Sequence, residues 1–213
     1  MLDFDPVKHI YRWNGVIVPG VTSIIGAAGL TCYDYVDPEL MRITSEFGKE
    51  VHRVIELSNK GKLDVGSVDP LILPYLAAWK QFLSAYKPTI LASEVICYHE
   101  QHRYAGTIDV VLGYAGKTII VDIKTPKVEY PSWSIQTAAY SMIWFALTRN
   151  SVIPKSKRGR WTVQLIPENT VPYKVIDHDK KDGAMNDAPD FLHALGMYRC
   201  KQRLNLLKGD CNG

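Results

Sequence analysis

Residues 106–125, GTIDVVLGYAGKTIIVDIKT, hold two apolar, β-branched runs joined by Tyr114-Ala115-Gly116-Lys117. A glycine in the turn and no proline before Pro126 predict a β-hairpin, with strands over 104–114 and 117–124. With Ala115 and Gly116 as the turn residues, Asp109 falls opposite Asp122, and Thr107 opposite Lys124. Alternation then puts Thr107, Asp109, Val111, Ile120, Asp122 and Lys124 on one face. The other face, with Ile108, Val110, Leu112, Ile119, Val121 and Ile123, is wholly apolar and is expected to pack on the core. Directly opposed residues have Cβ atoms about 5 Å apart. Two carboxylates at that separation repel by about 3 kcal/mol at an effective dielectric of about 20. Either one acid is protonated or solvated beside an ordinary Lys–Asp ion pair, or a divalent cation offsets both charges.

The chain around this hairpin has 213 residues, 46% of them hydrophobic, enough for one sizeable core. Its net charge of +3 is compatible with a polyanionic partner. No apolar stretch reaches membrane-spanning length, and MLDFDPVKHI resembles neither a secretory signal nor a transit peptide, so a cytoplasmic location is expected. Cys32, Cys97, Cys200 and Cys211 lie far apart with no C-x-x-C pair, which suits a reducing compartment.

Asn14-Gly15 predicts a second hairpin within HIYRWNGVIVPGVTSII. Asp37-Pro38 reads as an N-cap and first helical residue, with the helical pattern restarting near Ser45 and running to Gly61. A helix with Tyr75, Trp79, Phe82, Leu83 and Tyr86 follows Asp69-Pro70 and stops at Pro88. A strand is expected at about 90–99, ahead of the central hairpin. A helix then runs from Trp133 to about Leu147, with Ile135, Ala139, Met142 and Ala146 as its buried stripe. PKSKRGR (154–160) reads as a basic loop, RWTVQLI and PYKVIDH as strands, and Pro189–Lys208 as a closing helix with Gly209 past its end. This order predicts an α/β (α+β) fold: a mixed central β-sheet flanked by helices, with an N-terminal β-hairpin. One domain is expected over 1–213. Its N-terminal hairpin and helical extension reach 44, the core spans 45–147, and 148–213 hold the basic loop, two strands and C-terminal helix.

Three weaker signals converge on the hairpin. A tight turn at EQHR (100–103) would bring Glu94 opposite Asp109, giving three acids in a row across three strands. Such a cluster with one lysine suits oxygen-ligated Mg2+ or Mn2+ better than a structural salt bridge. Gly48 and His52 are one helical turn apart, beside core-facing Phe47, Val51 and Ile55, and Gln136 and Tyr140 are again four apart. Taken singly, His52 is a boundary histidine, and Gln136 and Tyr140 a helix flank with a snorkelling tyrosine.

Together, Gly48-x-x-x-His52, Glu94, Gly106-x-x-Asp109, Asp122-x-Lys124 and Gln136-x-x-x-Tyr140 form an ordered series over residues 45–147. It resembles the RecB-type branch of the PD-(D/E)XK nuclease superfamily. HIYRWNGVIVPGVTSII is likewise similar to the start of stand-alone phage and mitochondrial genome-maintenance exonucleases of that branch. The resemblance implies a restriction-endonuclease-like core and metal-dependent DNA hydrolysis in recombination, repair or replication. It implies Asp109 and Asp122 as metal ligands, Lys124 as the catalytic lysine, and the backbone carbonyl of Ile123 directed at the metal. His52 and Glu94 would complete the metal site, and Gln136 and Tyr140 would position the DNA strand. Some members hold an iron–sulfur cluster on one early and three closely spaced late cysteines. The late trio is missing here, so no cluster is expected.

The residues suit this chemistry in their own right. Phosphodiester hydrolysis needs an activated water and positive charge against the developing phosphorane, which carboxylate-held Mg2+ supplies, and Lys124 can orient the water. A histidine ligand is softer than Mg2+ prefers, so Mn2+ is expected to substitute well. The expected activity is an exonuclease acting on DNA ends, single-stranded or resected. An endonuclease of the same fold is the alternative. A non-catalytic nucleic-acid-binding module is another, although Asp109, Asp122 and Lys124 are all present. The basic loop (Lys155, Lys157, Arg158, Arg160) and the final helix (Arg199, Lys201, Arg203) are expected to contact the DNA backbone. A recombination or replication protein is a further expected partner.

Overall fold

The computed structural model describes residues 1–31, 37–148 and 154–207. The chain opens with a three-stranded antiparallel sheet of β1 (Leu2–Asp5), β2 (Ile10–Trp13) and β3 (Val16–Val18). Asn14 and Gly15, both at positive φ, turn β2 into β3 as their sequence predicts. β1 adds a strand to the expected hairpin, since LDFD is too short to carry a pattern. Past Pro19 the apolar run continues as α1 (Val21–Ala27), which buries Val21, Ile24 and Ile25 at helical spacing.

The helix opened by Asp37 and Pro38 does not restart near Ser45. It is one element, α2 (Pro38–Asn59), with the Asp37 carboxylate accepting from the N–H groups of Glu39 and Leu40. Its weak point is the β-branched stretch around Ile43-Thr44. Arg42 spans that stretch by pairing with Glu39 and Glu46, and the Thr44 hydroxyl donates back to Leu40 O. Exposed pairs of this kind are individually weak, yet they favour the helical spacing that carries α2 across the dip. α3 (Leu73–Tyr86) ends before Pro88, with Lys87 left-handed at φ 49 as its cap.

The central sheet has the order β4 (Thr89–His99), β5 (Tyr104–Tyr114), β6 (Lys117–Lys124), β7 (Arg158–Leu165) and β8 (Tyr173–Asp177). Only β6 and β7 are parallel, and α4 (Ser132–Leu147) is the crossover between them. The last helix, α5 (Asp187–Arg203), starts and stops earlier than expected, and the expected Gly209 lies outside the described residues.

Both faces of the sheet are covered. Val110, Leu112, Ile119, Val121 and Ile123 pack with Val51 and Ile55 of α2 and with Trp79 and Phe82 of α3. Val111 and Ile120, expected on the charged face, are fully buried on the side of α1, α4 and α5, and Ile108 packs there too. α4 is therefore enclosed by the sheet and by α1 and α5, and reads as apolar all round. Its buried stripe is Trp133, Gln136, Ala139, Tyr140 and Ile143, while Ile135, Met142 and Ala146 remain partly exposed.

Candidate active site

The central hairpin forms in the expected register, pairing Val110 with Val121 through to Tyr114 with Lys117. The ladder ends there, one residue short of Asp109 and Asp122. A side chain replaces it: Asp109 Oδ2 accepts the N–H of Ile123 at 2.7 Å. On the other flank, Ser93 pairs with Val110 and Val95 with Ile108, so Glu94 falls opposite Asp109 as the tight turn predicts. Glu94 itself is left-handed at φ 51, a conformation that costs a non-glycine residue about 1–2 kcal/mol. Strain of this kind persists where the surroundings hold the side chain to a purpose.

α2 and α4 close on this splayed end of the sheet from its two sides. His52 Nδ1 is 3.5 Å from Asp109 Oδ1 and 3.8 Å from Glu94 Oε1. One ligand atom from each of His52, Glu94 and Asp109 can be chosen so that all lie within 4.8 Å of one another. From α4, Gln136 Oε1 accepts Lys124 Nζ at 3.0 Å, and Gln136 Nε2 donates to the Tyr140 hydroxyl at 3.0 Å. Lys124 Nζ also lies 3.0 Å from Asp122 Oδ2. That oxygen is buried and receives no hydrogen bond in acceptable geometry, so the contact is electrostatic.

The two aspartates differ in how far their surroundings favour the charged form. Burial works against ionising Asp109, but His52, Lys124 and the Ile123 N–H outweigh it and hold its pKa below the usual carboxylate range. Burial pushes Asp122 up to about 6, with Lys124 offsetting part of that and Asp109 adding to it. Burial also raises Glu94. Burial opposes charge on His52, yet the Asp109 and Glu94 carboxylates carry it up to about 10. The repulsion expected between opposed acids thus falls unequally: Asp109 is the satisfied anion and Asp122 the stressed one.

This donor set fits a divalent cation. One imidazole nitrogen and two carboxylate oxygens lie within 4.8 Å of one another, and the buried Asp122 Oδ2, held by the Lys124 charge but by no hydrogen bond of good geometry, adds negative charge on the neighbouring strand. Ile123 contributes its backbone N–H to Asp109. The site opens into a cavity of about 760 Å³ lined by His52, Glu94, Asp109, Lys124, Gln136 and Tyr140, with Asp122 behind its wall at 1% exposure. Gly106 is required here, because a Cβ would come within 2.8 Å of the Tyr140 ring.

Among the described residues, none of the expected basic contacts lines this cavity. Parallel pairing sets Arg158 opposite Thr118 and Thr162 opposite Asp122, so the start of β7 is about 13 Å along the sheet from the site. Arg160 is not a loop residue. It is 7% exposed and bonds Asp179 Oδ1 at 2.7 Å, Asp187 Oδ2 at 2.9 Å and Ser134 O at 3.1 Å. The Arg158 guanidinium lies 4.3 Å over the Phe145 ring, Lys157 is exposed, and the Lys155 side chain is outside the described residues. Arg199 donates to His102 O and Lys201 to Ala27 O, while Arg203 is exposed.

Besides Lys124, the cavity is lined by the cations Lys49 and Arg53, which sequence reasoning missed. Their signal was available: they are four apart on α2 and flank His52. Phe4, His9 and Tyr11 also line it, and nothing in the sequence ties them to residues a hundred positions away.

No family model matches the chain, and no curated protein does. Among solved structures it is similar to a candidate exonuclease from Eubacterium rectale, at TM-score 0.47 and 14% identity over 76% of this chain and 71% of that one. It is also similar to the alkaline exonuclease LHK-Exo from Laribacter hongkongensis, at TM-score 0.38 and 11% identity over 84% and 92%. LHK-Exo in complex with dAMP matches at TM-score 0.34 and 10% identity over 88% and 93%. These overlays are too loose to transfer residue roles, so the site is understood through its own geometry.

Proposed function

We propose that this chain is a divalent-metal-dependent deoxyribonuclease that hydrolyses phosphodiester bonds at free DNA ends, with single strands preferred. The observation that carries this is the convergence of His52, Glu94, Asp109 and Lys124 on one cavity, with Asp122 paired to Lys124 just behind its wall. The order of the motifs, like that of the RecB-type branch, supports it.

His52, giving up its ring proton as the ion binds, would hold the ion with Glu94 and Asp109, and Asp122 would add negative charge from behind. Bound Mg2+ or Mn2+ supplies a water of lowered pKa and positive charge against the phosphate oxygens. Lys124, fixed by Gln136 and Asp122, is placed to orient the attacking water and to meet charge developing on the phosphate. Tyr140 is raised well above the usual phenol range, chiefly by burial, and stays a neutral hydroxyl. Its oxygen accepts from Gln136, which leaves its proton to offer to the strand. Lys49 and Arg53 add positive charge at the rim.

Digestion of linear and covalently circular DNA, single- and double-stranded, in Mg2+, Mn2+ or EDTA tests this. Linear single strands should be degraded in either metal and in neither case with EDTA. Equal rates on sealed circles would favour the endonuclease alternative, and tight binding without cleavage in any metal would favour a binding module.

A further inference from the structure

The cavity has an aromatic wall that the hydrolytic chemistry does not use. Tyr11 is 2% exposed, and its hydroxyl meets Thr107 Oγ1 at 2.9 Å, docking the N-terminal sheet on β5. Phe4 stacks on Tyr11 with centroids 4.5 Å apart, and His9 stands edge-on to both rings. The turn between β1 and β2 sets this arrangement. Asp5 Oδ1 accepts the N–H groups of Val7 and Lys8 at 3.0 Å each, and His9 takes a left-handed φ of 52. Tyr11 completes the core, whereas Phe4 is only half-buried and His9 is exposed, both at the cavity wall. Lys49 is near enough to His9 that its charge adds to the effect of partial burial in lowering the imidazole pKa. Aromatic faces and cations therefore line one open cleft.

We infer that Phe4 and His9 form a nucleobase subsite, stacking an unpaired base of the strand being cut while Lys49 and Arg53 hold its phosphates. This rests on the nuclease function proposed above and narrows its substrate. Stacking on a flat ring is open to any base, so such a subsite is tolerant of sequence. Inside a duplex both faces of a base are covered by its neighbours, and at an end the paired partner would have to enter with it, so an unpaired base is the one expected to enter. Rings that served packing alone would be enclosed as Tyr11 is.

The test is fluorescence anisotropy in EDTA with three probes: a single-stranded oligonucleotide, its abasic counterpart and a blunt duplex. Phe4→Leu keeps apolar bulk, and His9→Asn suits the left-handed position of an exposed residue, so at least the second variant folds normally. Each should weaken binding of the normal single strand about tenfold, with little change on the abasic strand or the duplex. Lys49→Ala and Arg53→Ala should weaken normal and abasic strands alike and lower the salt dependence. Wild-type affinity in both aromatic variants, or equal losses on normal and abasic strands, overturns the subsite. If wild type cleaves DNA in Mg2+ under that outcome, the nuclease function survives alone. If base-dependent binding is found without cleavage in any metal, the subsite stands and the nuclease function falls.

Discussion

Two clusters of buried charge meet the first turns of α4, and they are built on opposite plans. Around Arg160, the charged groups are answered: Asp179, Asp187 and the Ser134 carbonyl take the guanidinium, and the Ser134 hydroxyl donates to Asp187 Oδ1 at 3.0 Å, which leaves one ring nitrogen of the neutral His178 as the unbonded group nearby. Around Asp109, the bonds are incomplete. His52 stands 3.5 Å or more from its carboxylates, Asp122 Oδ2 has no hydrogen bond, and Glu94 holds a left-handed backbone. A buried charge kept for stability saturates its bonds, because an unsatisfied one is penalised. A cluster left open in an otherwise well-packed core retains capacity for a ligand.

The largest expected effects separate the two clusters by kind. Asp122→Ala and Lys124→Ala should each lower cleavage by about 10³-fold or more while the protein still folds. Arg160→Ala should instead lose about 3–5 kcal/mol of stability, because it strands two carboxylates, with cleavage per folded molecule retained. Denaturant unfolding and a nuclease assay on the same preparations read both. An Arg160 variant of normal stability and no activity would break the comparison.

Acid should strike the Arg160 side. His178 is 1% exposed, with one ring nitrogen 2.8 Å from Thr162 Oγ1 and the other without a hydrogen bond. Burial, then the charges of Arg160 and Lys181, depress its pKa from 6.5 to about 4. The unfolded chain therefore binds one more proton than the folded protein between those values. The His178 contribution to stability should rise with pH across that window and fall as pH drops through it, by up to about 3 kcal/mol, against the opposite contribution of Asp122. In melts from pH 4 to 7, His178→Gln should make stability rise less, or fall more, with pH than in wild type, and an unchanged slope would assign the acid sensitivity elsewhere.

A subtler effect sharpens the contrast within the open cluster. Asp122 has a folded pKa of about 6, above its usual 3.8, so its contribution to stability falls as pH rises between those values. In EDTA near pH 7.5, Asp122→Asn should therefore be more stable than wild type by about 1–3 kcal/mol. Asp109→Asn should gain nothing, since His52 and the Ile123 N–H already favour that charge. With excess Mg2+, wild type should gain RT ln(1 + [L]/Kd) and the variants less. Thermal melts with and without Mg2+ decide it, and stabilisation by Asn at 109 rather than 122 would reverse the assignment of stress.

The hairpin register was legible from residues 106–125 because turn chemistry and strand alternation act over a few residues. Glu94 opposite Asp109 followed from the same logic across one more turn, as did the spacing of His52 and of Gln136 with Tyr140 along their helices. What local pattern could not supply was direction and depth. Whether β7 runs parallel or antiparallel to β6 is settled by the α4 crossover, and that choice puts Arg160 in a buried ion pair and carries Arg158 away from the site. The burial of Asp122, and so the rise of its pKa while that of Asp109 falls, comes from α2 and α4 closing on the two sides of the sheet. The cavity wall at Phe4 and His9 exists because Tyr11 meets Thr107 across the chain, a contact between residues 96 positions apart. Turns and helical faces are fixed by neighbours in sequence, whereas burial and charge state depend on every element packed around a group, and only the tertiary structure brings those together.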